Sequence, residues 1–206
     1  MKIISFVSQK GGTGKTTLAL NLAVAAELAS KQTAVIDLDP QASAADWGDS
    51  RSQETPVVVS AQPARLTKVL ETAKQAGAAL AIIDTAPHSE STALAAMRSA
   101  NFVLVPIRPA ILDLRAISNT IDLVNLSKSK AVVILNACPS RGSLVDEASE
   151  AIASYGVPVA PVKVVNRAAF NHSLTVGQAV QEYEPNGKAA DEIKQLYNWV
   201  CTQIDM

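Results

Sequence analysis

Cysteine is nearly absent from this chain: its 206 residues hold two, Cys138 and Cys201. Two thiols exclude a disulfide framework and a four-thiolate metal site within one chain, and they fit a reduced, cytoplasmic protein. An excess of either charge is missing too, since 18 Lys+Arg against 19 Asp+Glu leave a net −1. That excludes a protein held on nucleic acid by a strongly basic balance, though not one with a local basic patch. No apolar run approaches the ~18 residues of a membrane span. The opening Ile3-Ile4-Ser5-Phe6-Val7 is interrupted by Gln9 and Lys10 too soon for a signal sequence, so no membrane contact is expected. Glycine and proline are sparse, at nine and ten, which excludes a low-complexity chain. What is plentiful is apolar side chain. A hydrophobic content of 48% with 18% charged residues is enough to bury one sizeable core, and the length fits a single domain over residues 1–206.

Short β-branched runs alternate with longer alanine-rich stretches. Strands are expected at 3–7, 33–37, 57–59, 80–84, 102–105 (stopped by Pro106) and 131–135. Helical spacing of apolar residues marks 15–30, 64–76, 91–99, 111–127, 144–154 and 188–204, with an extended stretch at 157–164. Parallel strands need crossover connections, and strands that read as continuous apolar runs are buried on both faces. The pattern therefore predicts an α/β fold, a doubly wound, mostly parallel sheet with helices on both faces.

Between the first strand and first helix stands Lys10-Gly11-Gly12-Thr13-Gly14-Lys15-Thr16-Thr17. Glycines there let the backbone N–H groups of loop and helix start approach an anion without Cβ obstruction. Lys15 is placed to reach β- and γ-phosphates and the Thr16 hydroxyl to meet Mg²⁺. The template G-x-x-x-x-G-K-[ST] would place its first glycine at residue 9, where Gln9 stands. A second lysine, Lys10, lies at the mouth of the loop instead. Two lysines beside one loop repel unless much negative charge is near, and a triphosphate supplies it. Three aspartates, Asp37, Asp39 and Asp84, follow predicted strands at the edge where open α/β sheets bind ligands. An aspartate in that place is also an ordinary turn or N-cap former.

The loop resembles that of the deviant Walker A branch of P-loop NTPases, which includes partition ATPases of the ParA/Soj type, MinD, the nitrogenase iron protein and several amidoligases. Within it the chain looks nearest to plasmid partition proteins of the ParF kind. The resemblance implies an ATPase with weak basal activity, using ATP and Mg²⁺, that forms a sandwich homodimer or filaments. Lys10 matches the signature lysine that reaches the partner's nucleotide, an in-trans counterpart of an arginine finger. Val-Ile-Asp-Leu-Asp-Pro-Gln at 35–41 is similar to the partition motif D-x-D-P-Q, so Asp39 would orient the attacking water and Asp37 would support the metal or its water. Asp84 matches the Walker B aspartate, and Thr85-Ala86-Pro87 the switch segment after it. Asn136 would face adenine, or simply form a turn. Pro161 would flank the base, with Val165-Asn166-Arg167 like the N-x-R element that follows. Pro106-Ile107-Arg108-Pro109 matches a subunit-interface region, or is an ordinary strand terminator.

The family implies a centromere-binding adaptor protein as partner, non-specific DNA binding and association with the nucleoid. Arg141, Lys163, Arg167, Lys188 and Lys194 are candidates for the DNA patch, with a scattered solvated face as the alternative. A start one residue before the first strand would leave out the N-terminal DNA-reading domain of larger relatives. Two thiols at positions 138 and 201 disfavour the iron–sulfur branch. A tail in which Ile193, Leu196, Tyr197, Val200 and Ile204 share a face disfavours a membrane-targeting helix. An amidoligase of the dethiobiotin or cobyrinate type and a MinD-like division-site regulator remain the rival readings.

Overall fold

The computed structural model describes all 206 residues. In chain order the elements are β1 (Lys2–Phe6), α1 (Lys15–Leu28), β2 (Thr33–Asp37), α2 (Ser43–Asp49), β3 (Val57–Ser60), a 3₁₀ turn (Pro63–Arg65) running into α3 (Leu66–Gln75), and β4 (Leu80–Asp84). There follow α4 (Glu90–Ser99), β5 (Phe102–Ile107), α5 (Ile111–Ser127), β6 (Ala131–Leu135), α6 (Leu144–Ala153), α7 (Ala168–Thr175), α8 (Val180–Tyr183) and α9 (Lys188–Ile204).

Six strands form one sheet in the order β3-β2-β4-β1-β5-β6, and every neighbouring pair is parallel. Side-chain alternation splits the core into two layers. Ile4, Phe6, Val35, Leu80, Ile82, Leu104, Val132 and Ile134 pack beneath α1, α2, α8 and α9. Ile36, Ala81, Ile83, Val103, Val105, Val133 and Leu135 face α3 to α6. The doubly wound expectation is met, and its reason is visible: strands without a polar face are covered on both. Each fully buried Leu, Ile or Phe contributes about 1.5–3 kcal/mol of apolar transfer, so the paired layers are the main source of stability.

The chain moves outward from β1 to β2 and β3, returns to β4, and then crosses to β5 and β6 on the other flank of β1. The loop after β1 thus sits where the winding reverses, the crevice at which such sheets take ligands.

Pro106 does not stop β5, which continues through it to Ile107. Val103 N–H donates to Lys130 O, so odd residues of β5 direct their N–H groups to β6. Pro106 has no N–H to offer on the opposite side, just past the last bond between the two strands, Val7 N–H to Leu104 O, so the pairing with β1 ends there while β5 runs on beside β6. The extended stretch after α6 joins the edge of β6 through the parallel bridges Val133↔Val159 and Cys138↔Val165. Helices α2, α7 and α8 were not expected. No helix is long and apolar enough to cross a membrane.

Candidate functional site

The loop between β1 and α1 has a backbone only glycine adopts readily: φ is +71° at Gly12 and +90° at Gly14. Gly14 is the residue preceding α1, which carries no side-chain cap, so the first amide hydrogens of a 14-residue helix are left for an outside acceptor. A Cβ on Gly14 would lie 2.2 Å from Asn136 Nδ2. That amide donates to Thr13 O at 2.7 Å and ties the end of β6 to the loop. Thr13 is buried and its Oγ1 has no partner. Thr17 O accepts from Asn21 Nδ2 at 2.7 Å, which steadies the first turn of α1. Gly11 lies partly exposed beside Pro87, 3.9 Å from where its Cβ would be.

Lys15 is buried at 6% exposure, and its Nζ donates to Lys10 O at 3.3 Å. Burial holds its pKa below the ordinary lysine value, against the pull of Asp84 and Asp39. A buried ammonium with one backbone acceptor is under-solvated, and anionic oxygens would complete it.

Thr16 Oγ1 donates to Asp84 Oδ2 at 2.6 Å. Burial raises the Asp84 carboxyl to about 7; the Thr16 hydrogen bond and Lys15 oppose this, and Asp37 and Asp39 add to it. Asp84 Oδ1 is buried with no partner. A threonine hydroxyl, an adjacent carboxylate and an orphaned carboxylate oxygen under a glycine loop are the oxygen donors Mg²⁺ takes when phosphate and water supply the rest. The residues present fit that ion.

Asp37, expected to support the metal, is placed differently. Its Oδ1 accepts from Asp39 N–H at 2.9 Å, and its Oδ2 from Ala44 and Ala45 N–H at 2.9 and 3.1 Å. Both oxygens serve backbone donors, two of them in the first turn of α2, and the carboxylate holds the turn that carries Asp39. The half-buried Asp39 accepts Gln41 N–H at 3.0 Å and lies close enough to Lys15 to act on its charge.

Lys10 is bound within its own chain. Its Nζ makes an ion pair with Asp113 Oδ1, and Arg108 grips the same carboxylate through Nε to Oδ2 at 2.7 Å and Nη2 to Oδ1 at 3.2 Å. Burial raises the Asp113 carboxyl, but hydrogen bonds from Arg108 and Lys10 outweigh it and leave it below the usual range. Asp113 went unnoticed in the sequence. A single aspartate in the first turn of a helix reads as an ordinary dipole partner, and its lysine lies 103 residues away. Thr120 was missed likewise: its Oγ1 accepts Gln9 N–H at 3.0 Å.

Asn136 lies on the loop, but Pro161 is exposed. It belongs to a bulge at 161–163, formed because Ala160 and Val164 donate to Val133 O and Leu135 O, two residues apart on β6. Asn166 lines a cleft of about 540 Å³ with Lys10, Arg108 and Asp113. Arg167, a candidate for DNA contact, pairs with Glu192 at 2.5 Å. Arg141, Lys163, Lys188 and Lys194 are exposed. Cys138 is fully buried, and burial pushes its thiol up to about 11, an inert small hydrophobe.

A family model described as the CobQ/CobB/MinD/ParA nucleotide binding domain matches residues 4–180. Over 207 residues the chain is 29% identical to the maintenance of carboxysome distribution protein A of Halothiobacillus neapolitanus, covering 96% of this chain and 95% of that one. It is 27% identical over 190 residues to protein ParA of Rhizobium radiobacter, covering 86% and 84%. Among solved structures, the cell division ATPase MinD of Pyrococcus furiosus shares the fold with a TM-score of 0.77 at 23% identity, covering 98% of each chain.

Proposed function

Because the chain belongs to the CobQ/CobB/MinD/ParA nucleotide-binding domain family, we propose that it is a ParA-type ATPase of the ParF kind that partitions plasmid or other DNA. The observation that carries a magnesium-nucleotide switch is the Thr16–Asp84 pair with its orphaned oxygen beneath an uncapped helix start. In this reading the Gly11–Thr17 backbone and the buried Lys15 hold the phosphates, and Thr16 with Asp84 holds Mg²⁺. Held there, Mg²⁺ would supply positive charge to offset that of the nucleotide's phosphates. Asp39 orients the attacking water, and Asp37 acts through it, fixing the turn. Asn136 and Pro161 flank the adenine.

Lys10 completes the site of a second copy, so ATP favours a sandwich homodimer, which can extend into filaments, and hydrolysis resets it. A centromere-binding adaptor speeds a weak basal turnover, and the dimer rests on nucleoid DNA through non-specific phosphate contacts in the cytoplasm. One observation favours a second cargo. The 29% likeness to a carboxysome distribution protein runs nearly the whole length, so the same switch would position a protein-shelled compartment.

Phosphate release with and without duplex DNA and the product of the neighbouring gene tests the enzyme. Stimulation by both supports the switch, and a rate indifferent to both contradicts it. Lys15→Ala should lower MgATP affinity by about 100-fold or more, read by calorimetry. Loss of the gene separates the cargoes: unstable plasmid inheritance in the first reading, clustered compartments in the second.

A further inference from the structure

Lys10 is the one site residue of the proposed switch that already has a full ionic partner. The Asp113 side chain is 2% exposed, while those of Lys10 and Arg108 are 27% and 42% exposed. The carboxylate is thus a fixed anchor on the first turn of α5, and the two cations approach it from the solvent side. The geometry points to Asp113 as a positioning residue that holds Lys10 in its own subunit, so that pairing of two ATP-bound copies requires Lys10 to exchange Asp113 for the partner's phosphates. The inference rests on the reading of Lys10 as a residue acting across a dimer.

The exchange is cheap because Arg108 stays. Its Nε and Nη2 reach both carboxylate oxygens, so Asp113 keeps a bidentate cation after Lys10 leaves and no buried charge is stranded. Two cations on one carboxylate carry a net positive charge, and departure of Lys10 leaves a neutral pair. The triad therefore presents the lysine in the cleft beside the glycine loop, lined by Arg108, Ile111, Leu112 and Asn166, yet lets it go. It also sets a threshold. A lysine free in about a third of molecules weakens any step that needs it about threefold, and about tenfold for a dimer needing two.

Sedimentation equilibrium with MgATP, at a fixed ionic strength, tests this. Asp113→Asn keeps the side chain's shape and removes its hold on Lys10, so the dimerisation midpoint should fall about tenfold. Arg108→Gln leaves Lys10 as the carboxylate's only cation and should shift the midpoint the other way, a pair of opposite signs that loss of fold cannot imitate. The gain of Asp113→Asn should vanish when Lys10→Ala is added. If the wild type pairs and Asp113→Asn pairs no better, or its gain survives without Lys10, the inference falls alone. If neither pairs although calorimetry shows MgATP bound, it falls together with the dimer reading. Should Asp113→Asn fail to fold, Arg108→Gln decides: an unchanged or lower midpoint overturns the inference.

Discussion

Strands β2 and β4 end side by side, with Asp37 paired in register with Asp84, and the two aspartates could hardly be treated more differently. Both are buried, at 0% and 1% exposure. Asp37 accepts three backbone N–H groups, whereas Asp84 accepts one hydroxyl and has an oxygen that nothing satisfies. A buried carboxylate with all its donors is a structural bolt; one left short is waiting for a ligand. Residue type and strand position are the same, so the hydrogen-bond account alone separates the turn holder from the residue proposed to hold Mg²⁺.

Substitutions at the two positions should therefore move stability in opposite directions. Asp37→Ala strands the N–H groups of Asp39, Ala44 and Ala45 and removes the only cap of α2, whose preceding residue is Ala42. A loss of about 3–5 kcal/mol is expected in denaturant unfolding; a loss under about 1 kcal/mol would place Asp37 outside the fold's framework. Asp84→Asn should instead stabilise the nucleotide-free protein. Its carboxyl sits at about 7 against 3.8 in the open chain, so between those values the folded form binds the extra proton and stability falls as pH rises. The full fall is up to about 4 kcal/mol. Allowing for the orphaned amide of asparagine, the variant should be more stable than wild type at pH 8 by ~1–3 kcal/mol and its unfolding free energy flatter between pH 4 and 7. It should also lose the effect of Mg²⁺ on ATP binding. Equal pH profiles for the two proteins would remove the case for a strained Asp84.

A smaller effect sharpens the contrast at the end of β6, on the far edge of the sheet. Asn136→Ala breaks the bond to Thr13 O and should cost about 0.5–1.5 kcal/mol, read as a lower melting temperature. A larger fall in ATP affinity than in stability would favour a direct adenine contact over a purely structural tie.

The sheet and its long helices were legible because their signals are local. Thr33–Asp37, Leu80–Asp84, Ala131–Leu135, Ile111–Ser127 and Lys188–Ile204 coincide with their expected spans, each marked by its own apolar pattern. The loop was legible for the same reason, since glycines, lysine and threonine sit within eight residues. What escaped was specified at a distance. Helix α2 starts on a carboxylate six residues before it, and α8 is seated by Asn21 of α1, whose Oδ1 accepts Val180 N–H at 2.9 Å. Pro106 misled because its missing N–H ends only the pairing with β1, while the N–H groups that bind β6 belong to its odd-numbered neighbours. The proposed metal site was half legible: Thr16 and Asp84 lie within a hydrogen bond of each other, while both oxygens of Asp37 accept backbone N–H groups. Asp113 had no local mark at all, since its meaning lies in Lys10 and Arg108 arriving from two other segments.

The most direct test of the nucleotide switch is sedimentation velocity of Asp39→Ala with MgATP and with MgADP. Removal of the carboxylate proposed to orient water should trap the paired state, giving a stable dimer with MgATP and a monomer with MgADP. A monomer under both nucleotides, or a dimer indifferent to which is present, would contradict the account.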